Sequence, residues 1–560
     1  MRHFLVLFVA FLTCYSSEDV NAAKKTRVVF NDDAQFLFEM QDIEDPVAFV
    51  KGWLDREMEA IPFNTFVFLA ATPDICTYET KAGEVYGDRH LPEGNTGWAP
   101  GIRALRTAGT DALRLVTEHM KANGKEVLAA IRLSDTHHRS LDPTVPLVPQ
   151  FAIDNPRFVI KQPDDRKNET ALDYSYPEVR AHRLGIMREI VENYDVDGLE
   201  LNFVRWAKHF PRHQGKEKAH IMTEFMQSVT QMLKEVALAK GRKKPFTLGV
   251  RVAESIEACW RSGVNIETWV ERDWIDYIVI STWNNTDPQL RVEQFAKFAK
   301  PQNVDLICVM GNMMGAVNSG PPFILDRPIA MSAKHAKSYM GMLLTESEAR
   351  GAAANFYTGG ADSISFWNVG IHFGSLATAT STQIERMQRW TSAVANKKAV
   401  FSGPRTYRYL PMGKGMSDRA PPLRNYPWYD EGYSPLGHKN SPTILLGKAS
   451  VGQRHAFPFL MADGRHGEKL DGKLTFWVYL LESPTQLTID INGVQIPPGK
   501  VEAVKSGMRR GGIKGFRFEV ALSNCPSFKG DNELGLTLNM ANKADKIPYM
   551  EELEIVVVDD

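Results

Sequence analysis

The chain has 560 residues, 43% hydrophobic and 24% charged, with 66 basic against 67 acidic residues and a formal net charge of −1. That length exceeds one ordinary core and predicts two or three domains, and the composition is that of a globular protein rather than a disordered or fibrous one. The even charge balance, with no basic or acidic block, gives no ground for a nucleic-acid partner or for an anionic membrane surface.

Residues 1–22 read as an export signal. Arg2 precedes the apolar run Phe4 to Leu12, and Val20-Asn21-Ala22 supplies small residues at a cleavage site before Ala23. The run is too short to span a bilayer, so no membrane span is expected. A lipoprotein signal ending at Cys14 is the alternative, which Phe11-Leu12-Thr13 fits poorly. Cleavage removes Arg2, Glu18 and Asp19 and leaves 65 basic and 65 acidic residues, from 66 and 67. An exported protein is the expectation, periplasmic or extracellular. Cys76, Cys259, Cys308 and Cys525 then remain, dispersed and without a Cys-x-x-Cys pair. Buried free thiols are expected rather than a zinc cage. Asn168-Glu169-Thr170 and Asn284-Asn285-Thr286 are formal glycosylation sequons.

Eight apolar runs then alternate with helical patterns. The first strand is Arg27 to Asn31, and Asp45-Pro46 opens a helix with Asp as cap and Pro in the first turn. The second strand is Thr65 to Ala71. A loop with Tyr78, Tyr86, His90 and Trp98 leads to a helix around Leu105 to Met120, and the third strand runs from Glu126 to Leu133. The loop after it carries Ser134-Asp135-Thr136-His137-His138 and extends to about Leu172, and a helix follows from Tyr176 to Tyr194. The fourth strand lies in Val196-Asp197-Gly198-Leu199-Glu200-Leu201-Asn202-Phe203-Val204-Arg205. Leu199, Leu201 and Phe203 share one parity, and Glu200 and Asn202 the other. Next comes an amphipathic helix with Met222, Phe225, Val229, Met232 and Val236 on one stripe. Strands at Phe246 to Val252, Asp276 to Thr282, Asp305 to Met310 and Asp362 to Trp367 complete the set. Thr345 to Glu348 forms a capping box before the last of them.

Eight such alternations over 24–398 predict an α/β fold of the (β/α)8 TIM-barrel type, with an open doubly wound sheet as runner-up. No Gly-x-Gly-x-x-Gly follows the first strand and no Walker loop is present, so nucleotide folds of those types lose ground. Prolines from Pro404 to Pro442 mark 399–440 as an extended connector. Short strand patterns over 441–560 predict a β-sandwich that packs on the barrel or binds carbohydrate.

In a parallel barrel the parity that holds Glu200 faces the interior, and chemistry sits at the carboxyl ends of the strands. The polar residues there are Arg132, Asp135, His137 and His138 after the third strand, and Glu200, Asn202 and Arg205 with the fourth. Arg251 and Glu254 follow from the fifth, Trp283, Asn284 and Asp287 from the sixth, and Trp367 and Asn368 from the eighth. Carboxylates, arginines, histidines and two tryptophans around one mouth suit a carbohydrate substrate, since rings stack on pyranose faces and charged bonds grip hydroxyls. Glycoside hydrolysis needs two carboxyl groups. Glu200 and Glu254 on neighbouring strands are the candidate pair, with Glu200 a nucleophile kept ionised by Arg251 and Glu254 a proton donor. The plain alternatives are a Glu200 that salt-bridges Arg205 or Arg251 and a solvated Glu254. Adjacent histidines with Asp135 suit substrate hydrogen bonding better than a metal, so neither metal nor cofactor is expected. Ser-His-Asp chemistry lacks a Gly-x-Ser-x-Gly elbow. Nothing sets an oligomeric state.

The stretch Val196 to Arg205, with Leu172-Asp173-Tyr174-Ser175-Tyr176-Pro177-Glu178-Val179-Arg180 before it and Arg132 to His138, resembles the glycosyl-hydrolase-like family 10 type of secreted (β/α)8 proteins. The resemblance implies a secreted barrel acting on carbohydrate. The family pattern carries Asp where this chain has Asn202, so either Glu200 takes the role, the substrate assists, or this copy only binds. The chitinase-like acid motif fails at Val204. A secreted glycoside hydrolase is the leading reading and a non-catalytic carbohydrate-binding protein the alternative. A structural envelope protein is a third class, which would show neither binding nor turnover.

Overall fold

The computed structural model describes residues 26–90, 97–135, 138, 140–161, 170–282, 286–311, 313–314, 342–369, 376–409, 444–506 and 514–558. His137, Trp283, Asn284, the export signal and both sequon asparagines lie outside the described residues. Eight parallel strands close into a barrel: β1 Val29–Asp32, β2 Thr65–Ala71, β3 Glu126–Arg132, β4 Gly198–Asn202, β5 Thr247–Val252, β6 Tyr277–Ile280, β7 Asp305–Met310 and β8 Ser363–Trp367. Closure is direct, with β1 pairing β8 on one side and β2 on the other. All eight are the strands read from the sequence, and β2 and β7 match to the residue. Their apolar runs are buried on both faces, as a sheet enclosed by helices requires.

The helices start where local chemistry allows. Asp45 Oδ1 accepts from Ala48 N at the head of Pro46–Ala60, a cap worth about 1 kcal/mol. Thr345 and Glu348 form the expected capping box of Glu346–Gly359. Met222, Phe225, Val229, Met232 and Val236 of Gly215–Ala239 are all buried. The single helix expected around Leu105 to Met120 is two, Ala99–Thr107 and Ala112–Ala122. Gly109 at φ +77° breaks the run, and Asp111 starts the second helix by accepting from Arg114 N.

Beyond the barrel the described residues form two antiparallel sheets. One sheet orders Arg405–Tyr409, Tyr549–Val558, Asp471–Tyr479, Gly515–Ala521 and Glu502–Ser506, with Ile444–Leu445 also on Tyr549–Val558. The other orders Arg454–Leu460, Asp531–Leu538, Leu487–Ile491 and Val494–Gln495. The stretch read as connector begins differently from expectation: Arg405–Tyr409 is a fully buried strand paired with the last strand of the chain. The β-domain packs on the helix before β8. Gly351 allows this approach, since a Cβ there would lie 2.3 Å from Thr406 O. Asn355 Nδ2 donates across the seam to Leu460 O (3.2 Å), and Gln289 Nε2 to Pro458 O (3.2 Å). No helix among the described residues is long and apolar enough to cross a membrane.

Candidate active site at the barrel mouth

Parallel register sets which side chains share a level inside the barrel. Arg132, Asn202 and Arg251 are register partners across β3, β4 and β5, and Ala130, Glu200 and Gly249 form the level below. Glu200 faces inward: its Oε1 accepts from Asn31 Nδ2 of β1 (3.0 Å), and its Oε2 from Tyr277 Oη of β6 (2.9 Å). Tyr277 reaches it because its neighbour in register is Gly249. A Cβ on Gly249 would fall 2.0 Å from the Tyr277 ring. Glu200 is 1% exposed, and burial raises its pKa despite the bonds from Tyr277 and Asn31 and the nearby charge of Arg251. The expectation that Arg251 keeps Glu200 readily ionised is therefore outweighed by desolvation.

One level up, Arg132 joins two acids. Its Nη2 lies 2.8 Å from Asp33 Oδ1 and its Nη1 donates to Asp135 Oδ2 at 3.0 Å. Asn368, at φ +48° just past β8, completes the cradle: its Nδ2 donates to Asp33 Oδ2 (2.8 Å), and its Oδ1 accepts from Asp33 N (3.0 Å). Burial opposes ionisation of Asp33. The charges of Arg132 and Arg205 and these hydrogen bonds win, and its pKa ends below the usual carboxylate value. Arg251 donates to Ser281 Oγ (3.0 Å) and Thr282 O (3.3 Å). The guanidinium carbons of Arg251 and Arg205 lie 4.6 and 5.6 Å from the centroid of the Trp367 ring. Trp367 is 5% exposed, so it seats the two cations rather than offering a bare face to a pyranose.

Asn202 has a structural task. Its Oδ1 accepts from Val204 N and Arg205 N, both at 3.0 Å, closing the turn that delivers Arg205 to the mouth. Glu254 is buried at the start of the loop after β5, where its carbonyl accepts from Arg291 N (3.1 Å). Its charge acts on the Cys259 thiol, whereas the acids that Arg251 feels are Glu200 and Asp33. His138 is buried, and its carbonyl accepts from Thr170 Oγ1 (3.2 Å). Asp287 is buried beside the β-domain, and desolvation pushes it up to about 6. Cys76, Cys259 and Cys308 are buried free thiols, and Cys525 is a half-buried one. Among the described residues no group of three or more His, Cys, Asp or Glu could hold a metal ion.

Sequence reasoning missed Asp33, Asn31 and Tyr277. The run Asn31-Asp32-Asp33 closing β1 carries the same signal as the polar end of β4, polar residues finishing an apolar barrel strand. Tyr277 gave no such signal, because its role depends on a glycine one strand away.

No family model matches the chain, and no curated protein matches it by sequence. The resemblance to the glycosyl-hydrolase-like family 10 type therefore stays with its motif. Solved structures similar to this chain include alpha-L-fucosidase isoenzyme 2 from Paenibacillus thiaminolyticus, at 11% identity and a TM-score of 0.40 over 68% of this chain and 51% of that one. Another is the GH36 alpha-galactosidase AgaB from Geobacillus stearothermophilus, at 11% identity and 0.34 over 89% and 55%. A third is the alpha-amylase from Geobacillus thermoleovorans complexed with acarbose, at 12% and 0.37 over 92% and 100%. The chain spans about half the length of the first two. Likenesses this distant leave function to the site itself.

Proposed function

We propose that the protein is an exported glycoside hydrolase acting on a polysaccharide or oligosaccharide, with carboxylate chemistry at the carboxyl-end mouth of the barrel. The observation that carries this reading is a pair of inward carboxyls whose surroundings push their proton affinities apart. Asp33 is held ionised by Arg132 and Arg205, and Glu200 is pushed towards its protonated form by burial. Asn31 links them: it bonds Glu200 from β1 and lies two residues before Asp33, which follows the end of that strand. One ionised and one protonated carboxyl at the same pH is what glycoside cleavage requires, the first as nucleophile or base, the second as acid. Glu254, farther out on the β5 loop, is the alternate donor. The apolar run Phe4 to Leu12 supports export.

A second reading is a non-catalytic carbohydrate-binding protein. It is favoured by the fact that both oxygens of Asp33 and both of Glu200 already engage partners within the fold. Incubation of the mature protein with a panel of glycans, read by release of reducing ends, separates the two. Hydrolysis predicts product from at least one glycan and its loss in Glu200→Gln with the fold intact. Saturable binding without product from any glycan selects the second reading.

A further inference from the structure

Where the β-domain packs against the barrel, the described residues enclose a cleft of about 330 Å³, near the lower end of the range for small-molecule sites. Gln289 and Arg291, in the chain that follows β6, form its barrel wall, and the β-domain forms the other. The barrel wall stands at the mouth end, since Arg291 N donates to the carbonyl of Glu254 just beyond β5 (3.1 Å). The bond from Gln289 Nε2 to Pro458 O ties the two walls together. The β-domain wall is held by its own bonds. Asn492 Nδ2 donates to Asn532 Oδ1 (3.0 Å), which also accepts from Lys529 N (2.8 Å), and Asn492 Oδ1 accepts from Glu533 N (2.9 Å). A ligand therefore meets walls already in place.

The lining selects the chemistry of that ligand. It carries two cations, Arg291 and Lys529, and two acids, Asp531 and Glu533, so no excess charge draws an ion. Arg291 pairs with Asp531 (2.9 Å) and Glu293 (2.8 Å), and Glu533 pairs with Arg454 (3.0 Å). Phe459 is only 1% exposed and offers little apolar face. Hydrogen bonding remains. Among the described residues the Asp531 and Glu533 side chains each pair through one oxygen, which leaves the other as an acceptor, and the exposed Lys529 ammonium supplies donors. Acceptors and donors so interleaved suit the neighbouring hydroxyls of a neutral sugar.

Resting on the carbohydrate reading of the protein, though not on catalysis, we infer that this seam is a second glycan-binding site. It holds a neutral, hydroxyl-rich stretch of the glycan away from the mouth.

The test uses the full mature protein, with neutral oligosaccharides of the common hexose polymers, short and long, as probes. Hydrogen exchange locates binding and calorimetry measures it. The expected result is slowed exchange at Asn492 and from Lys529 to Glu533. Affinity falls at least about tenfold in the double variant Lys529→Ala, Glu533→Ala, the worth of one charge-assisted hydrogen bond. Both side chains are exposed, so the melting temperature should hold, and if the double variant does not fold, Glu533→Gln decides. Where a long glycan is cleaved, the variant raises KM and leaves kcat unchanged. Slowed exchange at the seam without turnover of any glycan supports the inference and removes the hydrolase reading. Slowed exchange confined to the mouth, with affinity unchanged in the variant, overturns the inference and leaves that reading standing. Failure of every probe to bind overturns the inference, and reducing-end release then decides the hydrolase reading separately.

Discussion

The two ends of the barrel interior both hold buried charge, and they treat it in opposite ways. At the amino end, Arg27 bonds Glu126 through two nitrogens (3.0 and 3.2 Å) and Asp305 through a third (3.0 Å). The Thr65 and Thr247 hydroxyls also donate to Glu126, at 2.7 and 3.0 Å. Burial opposes both ions, yet the hydrogen bonds and opposite charges outweigh it: Glu126 falls below its usual pKa and Arg27 rises above its own. At the mouth the same contest ends the other way for Glu200, Arg205 and Arg251, whose charged forms are disfavoured. A plug that only closes a barrel is built from ions that satisfy one another. A mouth that leaves ions under stress retains free energy for something else to relieve, while Asp33 beside them is stabilised as an anion.

The comparison predicts where substitutions act. Asp33→Asn removes the ionised carboxylate from the mouth and is expected to lower kcat about 10²- to 10⁴-fold, and also to lower the melting temperature, because the amide leaves the buried Arg132 without its anion, so turnover is compared per folded molecule. Steady-state kinetics on a cleaved glycan checks this, and near-normal turnover would return the role of base to another acid. Gly249→Ala is expected to cost about 1–3 kcal/mol by overpacking, because its Cβ would meet the Tyr277 ring, and to break the Glu200 bond. Denaturant unfolding and turnover should fall together.

Arg27→Met strikes the other end. It strands Glu126 and Asp305 and should cost about 2 kcal/mol, less than a fully buried pair because the side chains remain about a fifth exposed. Turnover per folded molecule should not change. An activity loss equal to that of Asp33→Asn would erase the distinction between the ends.

A smaller effect concerns Asp32, which points away from the mouth towards the helix Pro46–Ala60 and its buried Glu57. Burial is the main cause that raises Asp32 to about 7, and Glu57 is raised too. A carboxyl whose folded pKa lies above its unfolded one contributes stability that is complete below the unfolded value and lost as pH rises through the folded value. The melting temperature should therefore lose this contribution between about pH 4 and pH 7, and Asp32→Asn should flatten that slope. An unchanged slope in the variant would mean that Asp32 does not titrate there.

The barrel was legible because every strand is a short apolar run between helical patterns, a signal that needs no knowledge of partners. Arg405–Tyr409 was not legible: its burial depends on the last strand of the chain, and its own residues, Arg-Thr-Tyr-Arg-Tyr, carry no apolar run. At the mouth, Glu200, Arg132, Arg251 and Asn368 were found from parity and position. Their relations were not. That Arg132 binds Asp33 and that Trp367 carries two cations each depend on residues from different strands, whose meeting only closure of the barrel decides; the turn that Asn202 closes on Val204 and Arg205 is local.

The central claim is that one mouth carboxyl is ionised while its neighbour keeps a proton. The most direct test is the pH dependence of kcat/KM on a cleaved glycan, for the parent and for Glu200→Gln. The account predicts a bell whose acidic limb, lowered from the ordinary aspartate value, follows Asp33. Its alkaline limb, raised from the ordinary glutamate value, follows Glu200 and vanishes with whatever activity remains in Glu200→Gln. A profile whose alkaline limb persists unchanged in Glu200→Gln would contradict it.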